Sequence, residues 1–275
     1  MEPFFLSNET TYFLRDWMEK HPGLAAGFSS RNGGAGTNEY GSLNTGFHVG
    51  DDFLVVQKNR RLIAETAGFS AADMVGAEQT HGIQIKKVGN RHKGMGASDY
   101  ERSVKDTDGF YTDEAGVLLT MCFADCVPLY FFDPTNRMIG IAHAGWKGTV
   151  NGIGPEMVRL WKEEGIRSDN IFAAIGPSIC KKCYIVDDYV ISFVNNRLEH
   201  VEKKPYNQIS PGQYSLDLKE MNRMLLIEAG IQEQNIAESN LCSSCSREHF
   251  FSHRRDNGKT GRMLGFIGWK EDSLR

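Results

Sequence analysis

No apolar run in the 275-residue chain approaches the length of a membrane-spanning helix. The opening Met1-Glu2-Pro3-Phe4-Phe5 has neither the basic n-region nor the apolar h-region of a secretory signal. A cytoplasmic location with no membrane partner is therefore expected. In that compartment the six cysteines are expected as reduced thiols or metal ligands rather than disulfides. Glycine-rich phosphate cradles of the G-x-G-x-x-G or Walker type are missing too, which leaves out the usual dinucleotide and nucleoside-triphosphate sites. Positive charge is neither in excess nor gathered: the formal net charge is -4 and the Lys and Arg residues are dispersed, so no nucleic-acid partner is expected. There is no internal repeat, low-complexity tract or linker. The length suits one large domain or two small ones.

What is present centres on Asp108–Thr149. Three short runs rich in β-branched and aromatic residues, Val117–Cys122, Val127–Phe132 and Met138–Ala142, read as buried strands. Asp133-Pro134-Thr135-Asn136 has the chemistry of a hairpin turn between the second and the third. Cys126 lies in the break Ala124-Asp125-Cys126, and His143 follows the last run. A hairpin brings these two ends together, so a thiol and an imidazole can share one pocket.

Around this stretch, Leu24–Phe28 reads as a strand leading into the glycine loop Ser29–Gly36, which is either an anion cradle or a plain surface loop. A helix is expected from Asp51-Asp52 to Ala67, with Val56, Leu62, Ile63 and Thr66 on its apolar face and Gly68 as its stop. Met74–Glu78 and Ile83–Val88 read as strands on either side of His81. Gly89–Lys105 is a long polar loop, a candidate pocket rim. An amphipathic helix is expected over Val150–Glu164, a buried strand over Ile171–Ile175, and further helices over Asp188–Asn195 and from Asp217 to Gly230. Phe250-Phe251-Ser252 and Met263–Ile267 read as a closing pair of strands joined by a basic loop. Paired strands outnumber βαβ units, so the fold class is α+β with mixed sheets.

Four constellations carry chemistry. His81, Cys126 and His143 each sit at a predicted strand end and suit zinc or copper, with a fourth coordination position left open. Cys126 with His143 as base, and Asp125 nearby, alternatively suits a metal-free nucleophilic site, or the thiol is simply a small buried hydrophobe. Cys180-x-x-Cys183 and Cys242-x-x-Cys245 have the spacing of a structural zinc site if the fold brings them together, and are otherwise ordinary thiols. In the basic loop, Arg254 and Arg255 can pin a phosphate, with Lys259 and Arg262 assisting, or the charges decorate a solvated tip.

The pieces Ser30-Arg31-Asn32-Gly33-Gly34, Leu43-Asn44-Thr45-Gly46, Gln79-Thr80-His81-Gly82, Thr107-Asp108-Gly109, Ala124-Asp125-Cys126-Val127-Pro128, His143-Ala144-Gly145-Trp146-Lys147-Gly148 and Ser252-His253-Arg254-Arg255-Asp256 run in order over almost the whole chain. In these the chain resembles the YfiH/YlmD-type family, once called multicopper polyphenol oxidases or laccase-domain proteins. The resemblance implies a single α/β/β/α layered domain over residues 1–275 and a zinc site falling on His81, Cys126 and His143. It also implies phosphorolysis of purine nucleosides: adenosine, inosine or methylthioadenosine plus phosphate gives the base and a pentose 1-phosphate. Deamination of adenosine goes with it. Copper-dependent phenol oxidation is the older reading, and the His-x-His pairs of multicopper oxidases do not occur here. The chain departs from many members at Tyr184-Ile185-Val186, where they have Tyr-Glu-Val, so no role of that glutamate carries over. On this reading Cys126, His143 and Asp125 form the candidate catalytic set, Asp125 as a proton carrier or as an orienter of a histidine. Arg254 is the first choice for phosphate, with Lys147, Arg31 and Asn44 as further substrate-binding candidates.

Overall fold

The turn at Asp133-Pro134-Thr135-Asn136 folds strand Val127–Asp133 back onto strand Met138–Ala144, with Pro128 opposite His143. The Asp133 carboxylate holds the turn, accepting from the Thr135 N–H at 2.8 Å and from the Asn136 amide at 2.6 Å. The first of the three apolar runs lies outside this hairpin. Strand Leu118–Phe123 belongs to a different sheet, and Ala124-Asp125-Cys126 carries the chain across.

The computed structural model describes residues 1–271. In one six-stranded sheet the order is Phe4–Asn8, Thr11–Leu14, Leu24–Ser29, Met263–Trp269, Leu118–Phe123 and Met74–Gly76. In the other it is Ile236–Glu238, Phe172–Ile175, Val127–Asp133, Met138–Ala144, Gly109–Thr112 and Ile85–Lys87. Both mix parallel and antiparallel pairs. Phe28, Leu119 and Phe123 of the first pack against Phe110, Tyr130, Phe132 and Ile141 of the second, so the inner faces share one apolar layer. Tyr130 buries its hydroxyl there and spends it on the Gly27 carbonyl at 2.7 Å.

Each outer face is covered by helix. Phe53–Ala67 lies over the first sheet, its Ile63, Ala64 and Ala67 meeting Leu118, Leu264 and Phe266. Ile153–Glu163, Asp188–Arg197 and Leu218–Glu228 lie over the second, with Trp161 fully buried against Phe131. The architecture is thus α/β/β/α with mixed sheets, as expected. A small third sheet, Ile185–Val186, Gln213–Leu216 and Tyr206–Ser210, closes one side.

Local chemistry explains most boundaries. Asp52 caps its helix by accepting from Leu54 and Val55 N–H, and Gly68 ends it at φ 81°. Its buried face runs through Val56, Arg60, Ile63 and Ala67, whereas Leu62 and Thr66 are only partly covered. Arg60 is buried because its guanidinium donates to the Ala97, Thr45 and Gly96 carbonyls, tying the polar loop to the core. The helix expected over Val150–Glu164 is two, Trp146–Val150 and Ile153–Glu163, broken where Gly152 takes φ 85°. Phe250-Phe251-Ser252 is a correction: both phenylalanines are fully buried, but the segment is a loop, and only Met263–Trp269 enters a sheet.

Candidate metal centre and pocket

Two crossings between the sheets build the site. The chain leaves the first sheet after Met74–Gly76 and enters the second at Ile85–Lys87, and His81 lies on that path. It crosses again between Leu118–Phe123 and Val127–Asp133, and Cys126 lies there. His143 stands near the end of Met138–Ala144, beside both. Ligand atoms of His81, Cys126 and His143 all lie within 4.8 Å of one another. The imidazole rings meet edge to face, centroids 4.8 Å apart. Gly145 leaves them room, since a Cβ there would stand 3.1 Å from the Cys126 sulfur and 3.1 Å from the His81 ring.

Asp108 organises both histidines. Fully buried just before strand Gly109–Thr112, its carboxylate accepts from His143 Nδ1 at 2.9 Å, leaving Nε2 as the ring nitrogen for the Cys126 sulfur or a metal. It also accepts from the Thr80, His81 and Gly82 N–H groups at 3.1, 3.1 and 2.8 Å. These bonds hold His81 in a left-handed conformation, φ 61°, that a residue with a side chain seldom adopts. Burial would raise the Asp108 carboxyl pKa, but the hydrogen bond and charge of His143, with the backbone donors, bring it below its ordinary value.

Cys126 and His143 are coupled. Burial pushes the Cys126 thiol up, yet the His143 charge and hydrogen bonds from His143 and His81 outweigh it and lower the thiol to about 6. Burial pulls His143 down, and the Cys126 thiolate with Asp108 raises it to about 9. One thiolate and two imidazoles suit a zinc-type ion, whose donors stand about 3.5 Å apart at bond lengths near 2.0–2.3 Å, with one position left for water or substrate. The Asp108 bond to the far nitrogen of His143 is the outer-shell partner such histidines usually have. Asp108→Asn is expected to weaken metal binding about 10- to 100-fold, measured by competition with a chromogenic chelator. Unchanged affinity would confine the carboxylate to shaping the His81 turn.

The three side chains open into a cavity of about 410 Å³. Tyr100, Trp146, Ile179, Tyr184 and Leu218 give it apolar and aromatic surface, and Arg254 and Arg262 also line it. Arg254 donates to the Ile185 carbonyl at 2.6 Å and lies over the Tyr184 ring, 4.9 Å from its centre. Tyr100 comes from the polar loop expected as a rim.

Asp125 lines the cavity but does not orient a histidine. Held at φ 86° on its crossing, its carboxylate accepts from the Ser243 and Ser252 hydroxyls at 2.6 and 3.0 Å and from the Arg254 N–H at 2.7 Å. With those bonds made it positions the arginine loop. The other expected binders are not among the lining residues. Arg31 donates to the Gly41 carbonyl at 2.8 and 3.1 Å and stacks on Phe251. Lys147 sits over the Trp146 ring. Asn44 is buried, its amide oxygen accepting from the Arg262 N–H at 2.8 Å, so it reaches the site only through that backbone. Arg255 is committed to Asp256 and to the Ser243 and Phe250 carbonyls. An aspartate at a strand start, before a glycine, was the one signal of Asp108 in the sequence.

The family profile described as multi-copper polyphenol oxidoreductase laccase matches residues 25–270. Purine nucleoside phosphorylase YlmD of Bacillus subtilis (strain 168) is 46% identical over 273 residues, 98% of either chain. Adenosine deaminase RL5, from an unknown prokaryotic organism, is 32% identical over 249 residues, covering 90% of this chain and 95% of that one. The crystal structure of YlmD from Geobacillus stearothermophilus superposes with a TM-score of 0.94 at 45% identity, covering 98% of this chain and 100% of that one. Profile, relatives and superposition agree with one another, and the chain belongs to the YfiH/YlmD-type family of laccase-domain proteins.

Proposed function

We propose that the protein is a zinc-dependent purine nucleoside phosphorylase, with His81, Cys126 and His143 as the metal ligands. The observation that carries the reading is the convergence of these three donors on the wall of a cavity that also presents two guanidinium groups. Its volume, about 410 Å³, is in the range of small-molecule sites. The names of the relatives, purine nucleoside phosphorylase and adenosine deaminase, support the choice of substrate.

Phosphorolysis requires phosphate held against the anomeric carbon while the glycosidic bond breaks and the sugar gains oxocarbenium character. Positioning and charge complementarity do most of that work. Arg254 and Arg262 are the groups for the phosphate, since planar guanidinium forks match its oxygens. Asp125 holds the Arg254 loop, and Asn44 the Arg262 backbone. Aromatic faces of Tyr100, Trp146 and Tyr184 suit a purine. Burial, then the Arg262 charge, lowers His48 on this wall to about 4, so it is a neutral donor or acceptor at physiological pH. Zinc, when bound, supplies a Lewis acid that polarises a substrate oxygen or water. The second reading, adenosine deamination, rests on the named deaminase relative and on a three-donor set with an open position.

Inosine with inorganic phosphate is expected to give hypoxanthine and ribose 1-phosphate, resolved by chromatography, and no cleavage when phosphate is omitted. Equal hypoxanthine release without phosphate would replace phosphorolysis by hydrolysis. Conversion of adenosine to inosine in the same phosphate-free buffer would establish the deaminase reading.

A further inference from the structure

The two Cys-x-x-Cys pairs meet. Strands Phe172–Ile175 and Ile236–Glu238 run parallel with Ile175 beside Glu238, so the loops after them leave the sheet at one end. A bridge between Ser178 and Cys242 continues the pairing. Each loop then tightens around its own cysteines. The Cys183 and Tyr184 N–H groups donate to the Cys180 carbonyl at 3.0 and 3.1 Å, and the Ser246 N–H donates to the Cys242 carbonyl at 3.0 Å. The sulfurs of Cys180, Cys183, Cys242 and Cys245 all lie within 4.8 Å of one another, and Cys245 is 3.3 Å from Cys183 and 3.8 Å from Cys180.

Magnitudes decide what such a cluster is for. Four sulfurs bound about 2.3 Å from one ion at the corners of a tetrahedron stand about 3.8 Å apart, which is the scale here. A disulfide requires about 2.05 Å, and all four are free thiols. Cys242 accepts N–H bonds from Cys180 at 3.2 Å and from Cys245 at 3.3 Å. Backbone N–H groups aimed at a sulfur are the outer partners that a metal-bound cysteine uses. Lys181 and Lys182 lie between Cys180 and Cys183 in the chain, and Arg247 follows Cys245 by two residues. Cys242 is buried and Cys245 exposed, so the cluster is anchored inside and reachable from outside.

The geometry points to a second, closed metal site: a structural zinc ion held by Cys180, Cys183, Cys242 and Cys245. It has no vacant position, so its work is positional. The first loop lines the pocket, and the second braces a residue that does. Tyr184, next to Cys183, lines the cavity, and the Ile185 carbonyl after it receives Arg254. Ser243, inside the second pair, donates to Asp125, and the Ile179 N–H donates to the Asp125 carbonyl at 3.0 Å. An ion at the cysteines clamps the two loops that hold Tyr184, Asp125 and Arg254.

Zinc content, measured by plasma mass spectrometry on protein purified without chelator, separates this site from the His81–Cys126–His143 set. The expectation is about two zinc ions per wild-type chain and about one each in Cys245→Ser and Cys126→Ser, following the closed four-sulfur and open three-donor stoichiometries. A second measurement needs no variant. In zinc-loaded wild type, the four cysteines stay unmodified by iodoacetamide until the metal is stripped, as read by peptide mapping. Wild-type zinc content in Cys245→Ser, alkylation of the four in loaded protein, or a Cys183–Cys245 disulfide in the isolated protein overturns the assignment. None of these readouts depends on the protein cleaving nucleosides.

Discussion

Cys126→Ser is expected to lower inosine phosphorolysis more than about 100-fold and to remove one equivalent of metal, because losing a ligand exceeds the 10- to 100-fold cost of losing an outer partner. The electrostatics explain the size. In this pocket the thiol is already acidified to about 6, because the His143 charge and two hydrogen bonds outweigh burial. It is therefore a thiolate at neutral pH and a ready ligand. A serine hydroxyl in the same place stays protonated and binds a zinc-type ion poorly. The buried His143 and Asp108 would then keep their mutual bond but lose the sulfur that helps raise His143 to about 9. The experiment pairs metal analysis with steady-state kinetics, and a chelator separates the rival mechanism. If Cys126 is instead a nucleophile working without metal, Cys126→Ser abolishes turnover while stripping the wild type of metal leaves it intact. Full turnover in the serine variant would sink both readings.

Arg254→Ala is expected to raise the KM for phosphate by about 10- to 150-fold, the equivalent of one charge-assisted hydrogen-bonded contact, with a much smaller change in the KM for nucleoside. The side chain is held for this task. Its backbone N–H is fixed by Asp125 at 2.7 Å, and one nitrogen is spent on the Ile185 carbonyl at 2.6 Å. The Tyr184 face supports the plane of the guanidinium. The remaining donors are free to meet an anion in the cavity. Lysine at this position should rescue poorly, since it keeps the charge but neither the fork nor the stack. A parallel rise in both KM values would mean that the substitution has collapsed the wall, and the phosphate assignment would fall.

The hairpin at Asp133–Asn136 could be read from the chain because its turn chemistry is local, and so could the caps at Asp52, Gly68 and Asp217. Periodicity placed the helices over Phe53–Ala67 and Leu218–Glu228 within a few residues. What failed is also instructive. The hairpins Phe4–Asn8 with Thr11–Leu14 and Tyr206–Ser210 with Gln213–Leu216 are short: the first offers only three-residue apolar runs, Phe4-Phe5-Leu6 and Tyr12-Phe13-Leu14, and most residues of Tyr206–Ser210 are exposed. Phe250 and Phe251 looked like strand because burial, not backbone pairing, selects their type. Nor does local sequence reveal that Leu118–Phe123 and Val127–Asp133 enter different sheets, because the left-handed Asp125 that divides them looks like any turn residue. The site followed the same division. Predicted strand ends nominate His81, Cys126 and His143 as a candidate set, and the family's ordered motifs strengthen it. Asp108, which aims two of them, is hidden because its partners, the His81 and Gly82 backbone N–H groups and the His143 ring, lie far away in sequence.

The crossings at His81 and Cys126 have a consequence for assembly. The strands of neither sheet alone contain all three donors, so under the proposed coordination an ion meets the full set only once both crossings are in place. Such a ligand recognises only the finished sandwich, and mass action then ties its occupancy to cooperative unfolding of the whole chain. The metal would thus act as a rivet through the two layers as well as a reagent, and starvation for it would shorten the lifetime of the fold along with silencing the chemistry.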